Sequence, residues 1–173
     1  MKRWIGPLVV LLITALAAHA LTLRLGPGVI MDRAMAALAE RGVPLHAFST
    51  PQRVTPQTQQ VVRSSPDLYY ALCRYDLSTP GTALAVALGN WPDYQSVAFF
   101  DAQTNNFATL RGTGKPVAVR LLPPGSDAAP DAIVSLSARG VILIRRLAPD
   151  AERFAAAVEA GKVDACRIEP LRL

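Results

Sequence analysis

Three features of the sequence predict a mainly β, α+β fold. They are an uncharged apolar run near the N-terminus, a series of short period-two segments separated by Gly/Pro turns from residue 67 onward, and one helix-like stretch near the C-terminus. The expected arrangement is an N-terminal transmembrane helix followed by one antiparallel β-sandwich-like or barrel-like domain with a C-terminal helix. Of the 173 residues, about 150 lie beyond the apolar run, enough for one sizeable core and hardly for two. The chain divides into an anchor or uncleaved signal (1–25), a helix and irregular connection (26–66) and a β-rich domain (67–173).

Lys2 and Arg3 precede an apolar run from Trp4 to Leu23, followed by Arg24 and then Gly26-Pro27-Gly28, which is expected to stop the helix. About 20 such residues cross the hydrocarbon core of a bilayer, so residues 4–23 are expected to contact lipid. The segment also fits a cleavable signal, since Ala18-His19-Ala20 satisfies the small-x-small rule. Apolar residues continue past that site through Leu21, Leu23 and Leu25, which favours the uncleaved anchor. The basic flank places the N-terminus in the cytoplasm. The expected location is therefore a bacterial inner membrane with the C-terminal domain in the periplasm. No cysteine stands near the end of the run to accept a lipid.

After Pro27, Met31, Met35 and Leu38 recur at helical spacing before Gly42, predicting a short amphipathic helix capped by that glycine. Pro44, Pro51, Pro56 and Pro66 then punctuate a Thr- and Gln-rich connection. Strands are predicted where Leu68, Tyr70 and Leu72 alternate before Arg74 breaks the pattern, at Thr82 to Leu88, at Gln95 to Asp101 and at Val117 to Leu122. Turns fall at 78–81, 89–92 and 112–116. Ala132 to Ser137 with Val141 to Leu147 reads as a hairpin closed around Ala138-Arg139-Gly140. Pro149, Asp150 and Glu152 suit the first turn of a helix whose Phe154 and Val158 share one face, with Gly161 to end it and Cys166 in the tail beyond.

The 18 Lys plus Arg against 13 Asp plus Glu give a net charge of +5, which falls by two once Lys2 and Arg3 are set aside. That balance is too mild to argue nucleic-acid binding, and the scattered arginines, including the adjacent Arg145 and Arg146, read as a solvated surface. Cys73 and Cys166 are an even count, and in an oxidising compartment they predict one disulfide; two buried free thiols are the alternative. Neither belongs to a CxxC pair, so the spacing for redox catalysis or structural zinc is missing.

His19 in the apolar run and His46 in the connection are the only histidines, too few for a His-based metal cluster or a Ser-His-Asp relay. His46 is a lone candidate base. No phosphate-loop, dinucleotide or nucleophile-elbow pattern is present. No catalytic residue, metal site or cofactor is assigned. The oxygen-bearing residues cluster better: Asp76, Asp93 and Asp101 fall at strand ends or turns, and Thr104-Asn105-Asn106 follows Asp101. Asp76, Tyr94, Asp101, Asn105 and Asn106 are therefore candidate ligand-binding residues, if their side chains converge. Alternatively, Asp and Asn satisfy their own turns. The aromatics from Tyr69 to Phe100 line a pocket or fill the core.

Ser65-Pro66-Asp67-Leu68-Tyr69-Tyr70, Cys73-Arg74-Tyr75-Asp76-Leu77-Ser78, Tyr94-Gln95-Ser96-Val97-Ala98-Phe99-Phe100-Asp101 and Thr104-Asn105-Asn106-Phe107, in that order, resemble the domain of unknown function 1254 family in its short, membrane-anchored form. The resemblance implies a β-rich fold with no established catalytic residues. It also implies pairing with a separate membrane protein bearing the domain of unknown function 1214. The Asn-rich lead-in of longer members is replaced here by Arg63-Ser64-Ser65-Pro66, so no ligand role is carried over for that loop. The functional expectation is a non-enzymatic partner-binding module acting with a 1214-type membrane protein; the alternative is a small-ligand-binding protein or hydrolase of the periplasm. If the anchor is uncleaved, N-terminal sequencing of protein recovered from membranes will begin before Trp4; a start at Leu21 would overturn the anchor.

Overall fold

The computed structural model describes residues 2–50, 52–55, 64–127 and 129–171. Pro51, Pro56 and Arg63 of the expected connection lie outside them. A 3-10 turn (Lys2–Trp4) leads into helix α1 (Ile5–Glu40). Strands β1 (Leu68–Asp76), β2 (Thr82–Leu88), β3 (Tyr94–Phe100), β4 (Asn106–Thr113), β5 (Val117–Leu122), β6 (Ala132–Val134) and β7 (Arg139–Leu147) follow, then helix α2 (Ala151–Gly161) and strand β8 (Ala165–Pro170).

Helix α1 does not stop at Gly26-Pro27-Gly28 but runs through it, with Pro27 inside a single 36-residue helix. A proline removes one main-chain hydrogen bond, and here contacts beyond it hold the helix on course. Met31 is buried, and the missing side chain at Gly28 leaves room for the Gln103 carboxamide. The separate amphipathic helix expected from Met31 is thus the last part of α1. Gly42 caps it as predicted, with φ of 79°. Its N–H reaches Ala39 O at 2.9 Å and the Val43 N–H reaches Leu38 O at 2.9 Å, satisfying two terminal carbonyls. The first part is exposed and apolar, long enough to cross a bilayer by length and composition. Its Thr14 and Thr22 hydroxyls donate back to Val10 O and Ala18 O.

The strands form two four-stranded sheets, ordered β1-β7-β3-β4 and β6-β5-β2-β8. Among the described residues every strand pair is antiparallel except β5–β6. The predicted strands at 68, 82, 95 and 117 are present. Arg74 does not end the first, because the period of two turns its side chain to the outer face while Cys73 and Tyr75 face inward. The predicted hairpin across 132–147 is absent: β6 lies parallel to β5 in one sheet, while β7 is central in the other, between β1 and β3. The turn at 138 therefore passes the chain between sheets. Strand β4, at a stretch with no predicted element, zips against β3, and the expected tail around Cys166 is strand β8 on β2.

The core lies between the sheets. Tyr69, Ala71, Cys73 and Tyr75 of β1, Ile142 and Ile144 of β7, and Val97 and Phe99 of β3 meet Leu84, Val86 and Leu88 of β2 and Leu121 of β5. Cys73 and Cys166 form a disulfide (S–S 1.96 Å, Cα–Cα 6.6 Å) that joins β1, an edge of the first sheet, to β8, an edge of the second. Closing a loop of 93 residues stabilises the fold by about 4.6 kcal/mol in the chain-entropy model. Helix α2 begins with Asp150 accepting from the Arg153 N–H at 2.8 Å and packs on β1, its Phe154 ring 5.7 Å from that of Tyr69.

One end of the sandwich is closed by a buried polar cluster. Arg146 was expected on a solvated surface with Arg145, but alternation along β7 turns it inward, where it is 0% exposed. Its Nη1 and Nη2 donate to Asp164 Oδ2 and Oδ1 at 2.8 and 2.6 Å, its Nε donates to Gln95 Oε1, and its guanidinium stacks 5.5 Å from the Tyr69 ring. Asp164 also accepts from the Gly89 N–H at 3.0 Å. Removing one member of such a pair strands a buried charge. Arg146→Met is expected to destabilise by about 3–5 kcal/mol, and the double variant Arg146→Met/Asp164→Leu to recover most of that loss; urea denaturation of the three proteins measures both.

Candidate ligand cleft

Because β1 and β3 both run antiparallel to β7, they end on the same side of their sheet, where β7 begins. Asp76, Asp101 and Arg139 gather at that end. Tyr94 stands at the opposite end of β3, about 20 Å away by the rise of a strand, with its hydroxyl 2.9 Å from Ser96 Oγ. The structure therefore does not bring the five candidate ligand residues together.

Asp101 is spent on its own loop. It is 3% exposed, Oδ1 accepts from the Gln103 and Asn105 N–H groups at 2.8 Å each, and Oδ2 accepts from Asn105 Nδ2 at 2.8 Å. Asn106 pairs with Thr109 Oγ1 at the surface. These residues satisfy a turn, including Thr104 with φ of 65°. Among the described residues no group of three or more His, Cys, Asp or Glu assembles as a metal site.

Asp76 does face a cavity. A cleft of about 570 Å3 opens between the last turns of α1 and the end of the first sheet; Met31, Asp32, Met35 and Ala36 form one wall, and Arg74, Tyr75, Asp76, Ser137 and Arg139 the other. Asp76 Oδ1 accepts from the Ser78 N–H at 2.9 Å, and Oδ2 pairs with Arg139 Nε at 3.1 Å. Partial burial pushes its carboxyl up, but the Ser78 hydrogen bonds and the Arg139 charge outweigh that and hold it below the usual carboxylate value. Arg74 donates through Nε to Val43 O at 2.8 Å. Among the described residues neither Arg74 nor Asp32 has an ion-pair partner.

The floor is polar and fully engaged. The Tyr75 hydroxyl lies 3.2 Å from Phe100 O and 2.9 Å from Ser135 Oγ, and burial pushes its pKa up. Ser135 donates to Ser137 O, and Ser137 donates to Arg139 O while accepting from the Ala102 N–H. Gly140 has no alternative here, since a Cβ would overlap Phe100 O and the Tyr75 ring. His46 Nε2 lies 3.0 Å from both the main-chain nitrogen and the carbonyl oxygen of Asp76, accepting from the one or donating to the other according to its tautomer. Each hydroxyl proton is held by a carbonyl and the imidazole nitrogen is occupied, so these groups can position a ligand but do not form a nucleophile–base pair. Tyr69, Trp91 and Phe99 belong to the core, as does Tyr75, which among the described aromatics alone also reaches the cleft. Asp32, Arg74 and Arg139 were missed as cleft residues because nothing in their spacing shows that α1 folds back on strands so distant in sequence.

The family model described as a protein of unknown function, DUF1254, matches residues 46–170. No curated protein shows significant sequence similarity to the chain. Among solved structures, the VPA0106 protein from Vibrio parahaemolyticus superposes with a TM-score of 0.58 at 11% identity, covering 84% of this chain. An uncharacterized protein from Burkholderia cenocepacia gives a TM-score of 0.46 at 15% identity over 73% of this chain. The chain spans 35% of the length of each. At such identity the Vibrio likeness shows the fold alone.

The lowered pKa of Asp76 has a definite sign. Its contribution to stability is present above the unfolded value of about 3.9 and is lost as pH falls through the folded value. Urea denaturation between about pH 5 and pH 2 should therefore show the wild type losing more stability than Asp76→Asn.

Proposed function

The chain belongs to the DUF1254 family, and from that premise we propose that it is a single-pass, membrane-anchored envelope protein whose β-rich domain is a docking module for a 1214-type membrane protein. The observation that carries this reading is the continuity of α1. Ile5 to Leu25 is about 32 Å of exposed helix, apolar but for His19 and for Arg24, whose long side chain reaches the interface, and close to the roughly 30 Å of a hydrocarbon core. Gly28, where the helix meets Gln103 of the domain, follows within one turn. In this placement the domain is held against the bilayer surface instead of floating on a leash, the height at which an integral membrane partner can be met. The disulfide agrees with the oxidising side of the membrane.

The outer face of the first sheet is the surface best suited to the partner. The half-buried Tyr70 and Arg145 and the exposed Arg111 lie in one cross-strand row over the buried Ser96, and among the described residues no acid pairs with either arginine. Such a row suits an acidic segment. A fold recurring within much longer chains agrees with a domain that works beside other domains. The cleft supports a second reading, small-ligand binding: its Asp32 and Arg74 have no ion-pair partner among the described residues, and its engaged hydroxyls favour binding over hydrolysis.

Co-expression with a 1214-type membrane protein and purification in mild detergent should recover both chains. Arg111→Glu/Arg145→Glu should reduce the recovered partner by about tenfold, the scale of one like-charge contact. Recovery of the chain alone at every expression level would overturn the proposal.

A further inference from the structure

We propose that the cleft between α1 and the end of the first sheet seats the phosphoethanolamine headgroup of a phospholipid from the leaflet facing the domain. This rests on the membrane placement above. Met31, where the cleft begins, lies six residues past Leu25, about 9 Å along the helix axis. The headgroup layer extends roughly 5–8 Å beyond the hydrocarbon core. The cleft therefore opens where headgroups end, and its volume falls in the range of small-molecule sites.

Its charges select the ligand class. Asp76 and Arg139 satisfy each other across the mouth. That leaves Arg74 on the sheet wall and Asp32 on the helix wall, each without an ion-pair partner among the described residues and not paired to each other. A purely anionic ligand would be repelled by Asp32, and a purely cationic one by Arg74. A zwitterion that carries a phosphate and a primary ammonium on adjacent carbons satisfies both, the phosphate on the guanidinium and the ammonium N–H groups on the carboxylate. A quaternary ammonium has no N–H to donate, which disfavours choline. Met31, Met35 and Leu45 supply an apolar lining beside these charges, as the glycerol end of a lipid headgroup requires.

The test uses the full chain in detergent with equimolar phosphatidylethanolamine, phosphatidylcholine and phosphatidylglycerol, and native mass spectrometry reads the retained lipid. Phosphatidylethanolamine should be retained about fivefold over the other two, the effect of one charge-assisted contact. Asp32→Asn, an exposed helix position whose change leaves the fold intact, should bring it down to their level; Arg74→Gln should lower all three. Equal retention of the three lipids, or a preference that survives Asp32→Asn, would overturn the proposal. Displacement by equimolar soluble glycerophosphoethanolamine would also overturn it, in favour of a soluble phosphodiester. Alkaline carbonate treatment of membranes separates the two levels. A chain that resists extraction but shows no lipid preference defeats this inference alone, whereas a chain that is extracted defeats the membrane placement as well.

Discussion

The bond between Cys73 and Cys166 sits where the two sheets would otherwise part. Within the sheets β1 pairs only with β7 and β8 only with β2, so both are edge strands, and the outer side of β1 is covered in part by residues 46–49, whose main chain bonds Arg74 O and Leu72. The bridge joins those edges. On the far side, the short turn at 114–116 carries β4, the other edge of the first sheet, into β5 of the second. The sheets are thus joined along one side by the disulfide and on the other by the turn from β4 into β5, and the ends need other devices. Arg146 with Asp164 and Gln95 fills one end; α1 leans on the other. Arg74 follows Cys73 directly, so the crosslink also steadies the backbone that presents its guanidinium to the cleft.

Strands were legible wherever one face is buried and the other wet, because that environment imposes alternation. Strand β1 is present, but the alternating Leu68, Tyr70 and Leu72 that predict it lie on its outer, half-buried face, and the core face is Tyr69, Ala71, Cys73 and Tyr75; β2 holds despite its alanines because it pairs on both sides and its Leu84, Val86 and Leu88 are buried. Strands β4 and β8 were not legible. Strand β4 carries Asn106, Thr109 and Gly112, and β8 carries Arg167, Glu169 and Pro170, so each offers little apolar alternation and is defined by the neighbour it zips onto. The 132–147 segment failed for a different reason. Two adjacent strand-like runs joined by a glycine-containing turn have the local chemistry of a hairpin, and only the global packing decides that the chain crosses between sheets.

The candidate site divides in the same way. Turn chemistry was written locally: Asp101 with Asn105, and Asp76 with Ser78, are contacts over two to four residues, within reach of a sequence argument. Arg146 was misplaced because two adjacent arginines look alike in a string, although a strand must send them to opposite faces. The parity was available, since Ile142 and Ile144 share the face of Arg146. No such signal existed for Asp32. Its side chain matters because Met31 and Met35 dock the helix, and the partner wall comes from residues roughly 40 to 110 positions later.

Pro27 explains why that wall is firm. A helix that ended at Gly26 would leave the domain free to swing about a flexible glycine pair, and the cleft, which has one wall on the helix and one on the sheet, would have no fixed width. By continuing, α1 gives up one main-chain hydrogen bond and gains the burial of Met31 together with the Gly28–Gln103 contact. The lost bond falls at the Leu23 carbonyl, near the end of the apolar run, where in the proposed placement interfacial water can reach it. The same geometry couples the two ends of the helix. Any tilt of its apolar segment relative to the domain must change the distance between Asp32 and Arg74, so a ligand that spans them and the angle of the helix belong to one equilibrium.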